Sequence, residues 1–103
     1  MKMQKKTVGI HKKELRNAGY TVVQERSDRK TFYTVISPKG KTVLEAVKFQ
    51  RRVTAMNREK YLCCDKAVIK FEQGKAAIDC YTYCSEGLVV ERIEETEGEA
   101  RML

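Results

Sequence analysis

Four cysteines, one histidine and a surplus of cations are the residues of this chain whose types invite chemistry. Cys63 and Cys64 are adjacent, and Cys80 and Cys84 follow after fifteen intervening residues. Structural zinc favours a C-x2-C knuckle at one or both ends. On a strand, Cys80 and Cys84 share a face but stand about 13 Å apart at roughly 3.3 Å per residue, too far to share an ion. We therefore expect no metal and no cofactor, and thiols that pack, largely buried, as small apolar residues. No apolar h-region follows the charged start MKMQKK, and no run of about 18 apolar residues occurs. The expectation is a cytoplasmic protein without a membrane segment, in a compartment where disulfides are rare.

For catalysis the residues are few. His11 is the sole histidine and sits beside Lys12 and Lys13. A cysteine nucleophile would need it as base, and no carboxylate is placed in sequence to orient it. There is no Walker loop, G-x-G-x-x-G, G-x-S-x-G or H-E-x-x-H. The chain is expected not to be an enzyme.

The cations are more informative. Net charge is +7. Residues 1–60 hold 16 Lys/Arg against 5 Asp/Glu, whereas residues 61–103 hold 5 against 9. A basic part is thus followed by an acidic end. A basic surface concentrates polyanions and speeds their association.

The elements that must position these charges follow from pattern. A length of 103 residues fits one domain. A short helix over residues 9–18, capped by Thr7, would turn Ile10, Leu15 and Ala18 inward and Lys12, Lys13 and Arg16 outward. Gly19 suits the left-handed position after it. Tyr20–Arg26 and Thr31–Ser37 are rich in β-branched and aromatic residues and predict a hairpin. Pro38-Lys39-Gly40-Lys41 is a turn. Thr42 and Glu45 have capping-box spacing, and Ala46, Phe49, Val53 and Met56 recur at helical steps. They predict a central amphipathic helix over 42–60, with Lys48, Arg51, Arg52 and Arg58 on its polar side. Residues 42–46 also fit a short third strand, and 61–73 fit either helix or strand. Ala76–Cys84 alternates as a strand, Ser85-Glu86-Gly87 is a turn and Leu88–Ile93 a last strand. The expected fold class is α+β: a single small domain with a short N-terminal helix, a β-hairpin, a central amphipathic helix and antiparallel C-terminal strands. Residues 1–6 and 94–103 are expected to be flexible.

On this frame Lys48, Arg51, Arg52 and Arg58 of the helix, Arg26, Arg29, Lys30, Lys39 and Lys41 of the hairpin, and Lys12, Lys13 and Arg16 of the first helix are the candidate contacts to phosphates or to a charged partner. Tyr81 and Tyr83 share a strand face and are candidates for a protein interface. Gly19-Tyr20, then YTVISPKGK over 33–41, then a helix, resembles the hairpin, turn and helix of methyl-CpG-binding domains. The match spans roughly residues 19–55. It departs in having Tyr20 where that family usually has tryptophan, and a shorter loop at Ser27–Lys30. The resemblance implies only that such a hairpin plus helix can dock on DNA. In size and charge the chain also looks like phage or mobile-element accessory proteins, among them anti-CRISPR inhibitors. The expected function is non-catalytic binding to nucleic acid or a nucleoprotein complex through a basic face. The alternative is an inhibitor or adaptor that contacts a protein target directly.

Overall fold

A computed structural model describes residues 7–48, 52–55, 58–60 and 64–95. In chain order the elements are β1 (Thr7–Ile10), α1 (Lys12–Asn17), β2 (Thr21–Ser27), β3 (Lys30–Ile36), β4 (Thr42–Val47), β5 (Arg52–Ala55), β6 (Arg58–Lys60), β7 (Lys66–Glu72), β8 (Lys75–Cys84) and β9 (Gly87–Glu94). Four strands form one sheet in the order β1-β7-β8-β9, and five form a second in the order β2-β3-β4-β5-β6. Every neighbouring pair is antiparallel except β1 with β7. Among the described residues the one helix has six residues, and none is long and apolar enough to cross a membrane.

The α+β expectation is therefore corrected: the chain is mostly β, and the central amphipathic helix does not form. Residues 42–47 are a strand instead, followed by β5 and β6. The physical reason lies just upstream. Ser37 N–H donates to the Lys41 carbonyl at 2.8 Å and Gly40 N–H to the Ser37 carbonyl at 2.9 Å, a tight turn that folds the chain straight back along β3. Register then sets Tyr33 beside Ala46 and Val35 beside Leu44. Thr42, Val43, Val47, Val53 and Thr54 are β-branched, and that favours the pleated alternative. A register shift between Val35 and Ile36 leaves Val43 as an extra residue. This bulge explains how two consecutive residues, Val43 and Leu44, are both buried. The first helix is also shorter than expected. Its first turn is pre-empted because Thr7–Ile10 pairs with β7, so the helix starts after His11 rather than Thr7.

The β2–β3 hairpin, the β8–β9 hairpin and the glycine after α1 agree with the sequence reading. Ser27 pairs with Lys30, so Asp28 and Arg29 make a two-residue loop, both with positive φ (51° and 65°). That geometry suits the twist of a hairpin but normally takes Asn-Gly or Asp-Gly.

The core lies between the sheets. Tyr33, Val35, Leu44, Ala46, Val53 and Ala55 of the five-stranded sheet meet Ala67, Ile69, Ala76, Ile78, Cys80 and Ile93 of the other, with Leu15 of α1 closing one end. Polar groups lock this closure. Glu95 Oε1 accepts from the Tyr20 hydroxyl at 2.7 Å and from Ala76 N–H at 2.7 Å, and Glu95 N–H donates to the Ala76 carbonyl at 3.0 Å. The Tyr20 ring also lies 5.4 Å from that of Phe71. One carboxylate thereby ties the start of β2 to the β7–β8–β9 sheet. Glu94 and Glu95, expected to fray, are built into the fold; residues 1–6 and 96–103 lie outside the described residues.

Glu95→Ala leaves two donors without their acceptor, so thermal or denaturant unfolding is expected to show a loss of about 1–3 kcal/mol, and Tyr20→Phe a smaller one. A Glu95→Ala variant as stable as wild type would contradict the clamp.

Candidate functional site

Among the described side chains, the basic candidates fall in two groups and not on one surface. Arg29 and Lys30 occupy the β2–β3 turn, and Lys48 N–H donates to the Thr31 carbonyl at 2.9 Å, which places Lys48 at the same end of the sheet. Lys39 and Lys41 occupy the β3–β4 turn at the opposite end of β3. A seven-residue strand separates the two groups by roughly 20 Å. Helix α1, with Lys12, Lys13 and Arg16, joins the second group, because Gly19 (φ 90°) seats the end of the helix on Pro38: a Cβ there would come within 3.0 Å of the proline Cγ. All eight of these side chains are exposed. Arg51 lies outside the described residues, and Arg52 and Arg58 fall in β5 and β6 rather than on a helix.

Between the two basic ends, the described side chains on the outer face of the five-stranded sheet include two carboxylates among apolar and hydroxyl-bearing residues. Glu25, Phe32, Thr34, Glu45, Val47 and Thr54 line a shallow depression there of about 240 Å³. Glu25 and Glu45 are exposed carboxylates on a face that would have to meet a polyanion.

The outer face of the four-stranded sheet has two halves. In the half nearest the β7–β8 turn, charges neutralise one another. Asp79, only 4% exposed, accepts Arg92 Nε on Oδ1 at 2.6 Å and Arg92 Nη2 on Oδ2 at 2.9 Å, and Lys70 Nζ lies 3.0 Å from Oδ2. Arg92 also pairs with Glu72, and Glu94 with Lys75 at 3.4 Å. The Arg92 guanidinium holds the Asp79 carboxyl below the usual carboxylate range, with Lys70 adding to it, and Arg92 does the same for Glu72. Lys70 is raised by its hydrogen bond to Asp79. Asp79 is thus fixed as an anion with its oxygens occupied, a structural carboxylate and not a general base.

The distal half is the part the charges leave open. β8 and β9 run on beyond this network into a turn at Ser85-Glu86. Tyr81 pairs with Val90 and Tyr83 with Leu88 on the outer face; Thr82 pairs with Val89 on the other. Tyr83 is 54% exposed, Leu88 51%, Val89 50% and Val90 49%. Tyr81 is half-buried under Lys66, whose Nζ lies 5.8 Å from the ring centroid. Asp65 steadies this end, accepting Tyr83 N–H on Oδ2 at 2.9 Å and donating its own N–H to the Tyr81 carbonyl at 2.8 Å. The hairpin end therefore holds an apolar stripe on a rigid support.

The tyrosine candidates from sequence thus fall together, Leu88 and Val90 join them on the same face, and Val89 is exposed on the other. The sequence carries a signal for these three. Consecutive apolar residues on a strand point to alternate faces, so they cannot all reach one core.

The thiols divide three ways. Cys80 is buried and Cys64 half-buried beside it; burial first, and then the Cys64 neighbour, push the Cys80 thiol far above its ordinary range, which suppresses the thiolate. Cys84, expected to be buried, is exposed at the hairpin turn with Sγ 3.2 Å from the Gly87 carbonyl. Cys63 lies outside the described residues. Among the described residues no group of three or more His, Cys, Asp or Glu is arranged to hold a metal.

With the geometry in view, comparison of the chain with protein-family models, with characterised proteins and with solved structures gave no match.

The ion network predicts a pH signature. Asp79 and Glu72 titrate lower in the fold than in the unfolded chain, where their values are about 3.9 and 4.3. Their contribution is therefore complete above the unfolded values and is lost as pH falls through the lowered folded ones. Asp79→Asn removes the buried anion that Lys70 and Arg92 share and leaves them the more exposed Glu72; we expect a loss of about 2–3 kcal/mol at pH 7 and a shallower fall in stability between pH 5 and pH 2 than in wild type. Parallel pH curves for the two proteins would contradict this assignment.

Proposed function

We propose that the protein is a non-catalytic binding module whose partner is a protein, met through the outer face of the distal β8–β9 hairpin. The observation that carries this reading is the exposure of Tyr83, Leu88 and Val90 side by side, with Tyr81 adjoining. Apolar side chains held on a regular strand lose little freedom on binding, and tyrosines supply large contact area with a polar tip. The charges support the same reading. Among the described side chains, the exposed basic candidates of the five-stranded sheet and α1 stand in two groups at opposite ends of that sheet, and the face between them carries Glu25 and Glu45. The methyl-CpG-binding resemblance loses the helix of its hairpin-plus-helix frame. An inhibitor or adaptor that occupies a protein target fits this arrangement.

A second reading rests on one specific observation. Arg29 takes a positive φ in a loop where glycine is far easier, which is the kind of strain retained at functional positions. With Lys30 and Lys48 it forms a cationic end that suits a few phosphates, as on a nucleoprotein target.

Tyr83→Ala with Leu88→Ala should weaken partner capture from a nuclease-treated host lysate at least tenfold while leaving the melting temperature nearly unchanged, since both side chains are half exposed. Arg29→Ala with Lys48→Ala should leave that capture intact. Binding of the wild type to free DNA or RNA at about 50 mM salt, lost in the Arg29/Lys48 variant and kept in the Tyr83/Leu88 variant, would reverse the order of the two readings.

A further inference from the structure

Two of the thiols meet on the inner side of the four-stranded sheet. Cys80 of β8 is 3% exposed and stands opposite Ala67 of β7. Cys64 is half-buried and packs against the same core layer. A thiol–thiol hydrogen bond joins them, and neither is in a disulfide.

The backbone explains how Cys64 comes to face inward. Lys66 and Tyr81 are register partners on the outer face, with Lys66 over the Tyr81 ring. Strict alternation from Lys66 would put Cys64 outside as well. Asp65 breaks the alternation by donating its own N–H to the Tyr81 carbonyl at 2.8 Å. Two consecutive residues thus oppose one residue of β8, which is a bulge, and the extra residue turns the side chain before it to the other face. Asp65 Oδ2 accepts the Tyr83 N–H at 2.9 Å and holds this bulge in place.

We propose that Cys64 and Cys80 are an oxidation site, at which a peroxide joins the two thiols in an intramolecular disulfide. The step balances within the pair. The Cys64 sulfur attacks the peroxide, the O–O bond breaks, Cys64 becomes a sulfenic acid and one water leaves. The Cys80 sulfur then displaces the hydroxyl of that sulfenic acid, its proton leaves with the hydroxyl as a second water, and the S–S bond forms. Two thiols are oxidised by two electrons in total, and one peroxide is reduced to two waters. Burial divides the roles. Cys64 is the more accessible sulfur and reacts first, whereas Cys80 is shielded and keeps its proton until the sulfenic acid is beside it. Cys64 precedes the first residue of β7, so its backbone is free of the ladder and can take up the Cα spacing of about 5–6 Å that a disulfide requires. Cys84 takes no part: it sits four residues along β8 at the hairpin turn, about 13 Å from Cys80 at roughly 3.3 Å per residue. The bond closes a loop over fifteen intervening residues and pins the bulge from which Asp65 holds Tyr83. Oxidation therefore stiffens the support of the distal hairpin without covering its exposed face.

The test uses the full chain carrying Cys63→Ala and Cys84→Ala, reduced, freed of reductant and treated with a small molar excess of hydrogen peroxide. Trypsin separates Cys64 in residues 61–66 from Cys80 in residues 76–92, so the bond is read as one cross-linked peptide pair, lighter than the sum of its parts by two hydrogens. The expected result is that pair in most of the protein, both thiols lost to maleimide, and a melting temperature about 5–15 °C above that of the reduced chain, returned to the reduced value by dithiothreitol. Adding Cys64→Ser should abolish both the link and the rise. Wild type is mapped in parallel, by fragmentation between Cys63 and Cys64, so the test does not depend on the folding of the double variant. A sulfinic acid at Cys64 with Cys80 still reduced, a wild-type bond that maps to Cys63 or Cys84, or linkage that forms only in denaturant would each overturn the proposal.

Discussion

The structure depends on the closure of two sheets over one shared apolar layer. Neither sheet can bury its inner face alone, and the residues that do the covering are modest in size: Ala46, Ala55, Ala67 and Ala76 interleave with Val35, Leu44, Ile69 and Ile78. Small residues let the sheets approach and the branched ones fill the space between them. The Glu95 clamp holds the seam where β2 begins. Because β8 has ten residues, β8 and β9 outrun this closure. Their far ends are ordered by the same ladder that builds the core, yet nothing among the described residues covers their side chains to the same extent. The exposed stripe is a consequence of strand length, and its rigidity is inherited from the core.

Charge is distributed to a different purpose than its sum suggests. Lys70, Lys75, Arg92, Glu72, Asp79 and Glu94 spend themselves on one another across three strands, so three of the cations counted toward the basic balance offer little to a partner. Among the described side chains, the other basic candidates stand in two groups at the two ends of the five-stranded sheet. A net charge of +7 thus describes solubility and long-range attraction better than it describes a site.

Local signals carry part of the fold. Tyr20–Arg26 and Thr31–Ser37, the alternation through Ala76–Cys84 and the left-handed Gly19 each specify structure through neighbours in sequence, and each is found within a residue or so of its expected place. Residues 42–60 mislead because two periodicities coexist there. Ala46, Phe49, Val53 and Met56 satisfy helical spacing, while Leu44 with Ala46 and Val53 with Ala55 satisfy alternation. The choice is made by β3, whose Tyr33 and Val35 offer a partner across a tight turn, a tertiary effect that propensity does not encode. The same loss of the helix removes the frame that gathers Lys48, Arg51, Arg52 and Arg58. Tyr81 and Tyr83 remain candidates because their shared face follows from period two alone. That Leu88 and Val90 complete their surface requires knowing where the core ends.

The account turns on whether the hairpin methyls are in water in the isolated chain. Solvent paramagnetic relaxation from a neutral gadolinium chelate, read on the methyl groups at the lowest workable protein concentration, measures this directly. Leu88, Val89 and Val90 should relax strongly, while Leu15, Val35, Leu44, Ile69 and Ile78 should be shielded. Shielding of Leu88 and Val90 equal to that of the core residues would mean that the stripe is already covered within one chain, and the proposed interaction face would not exist.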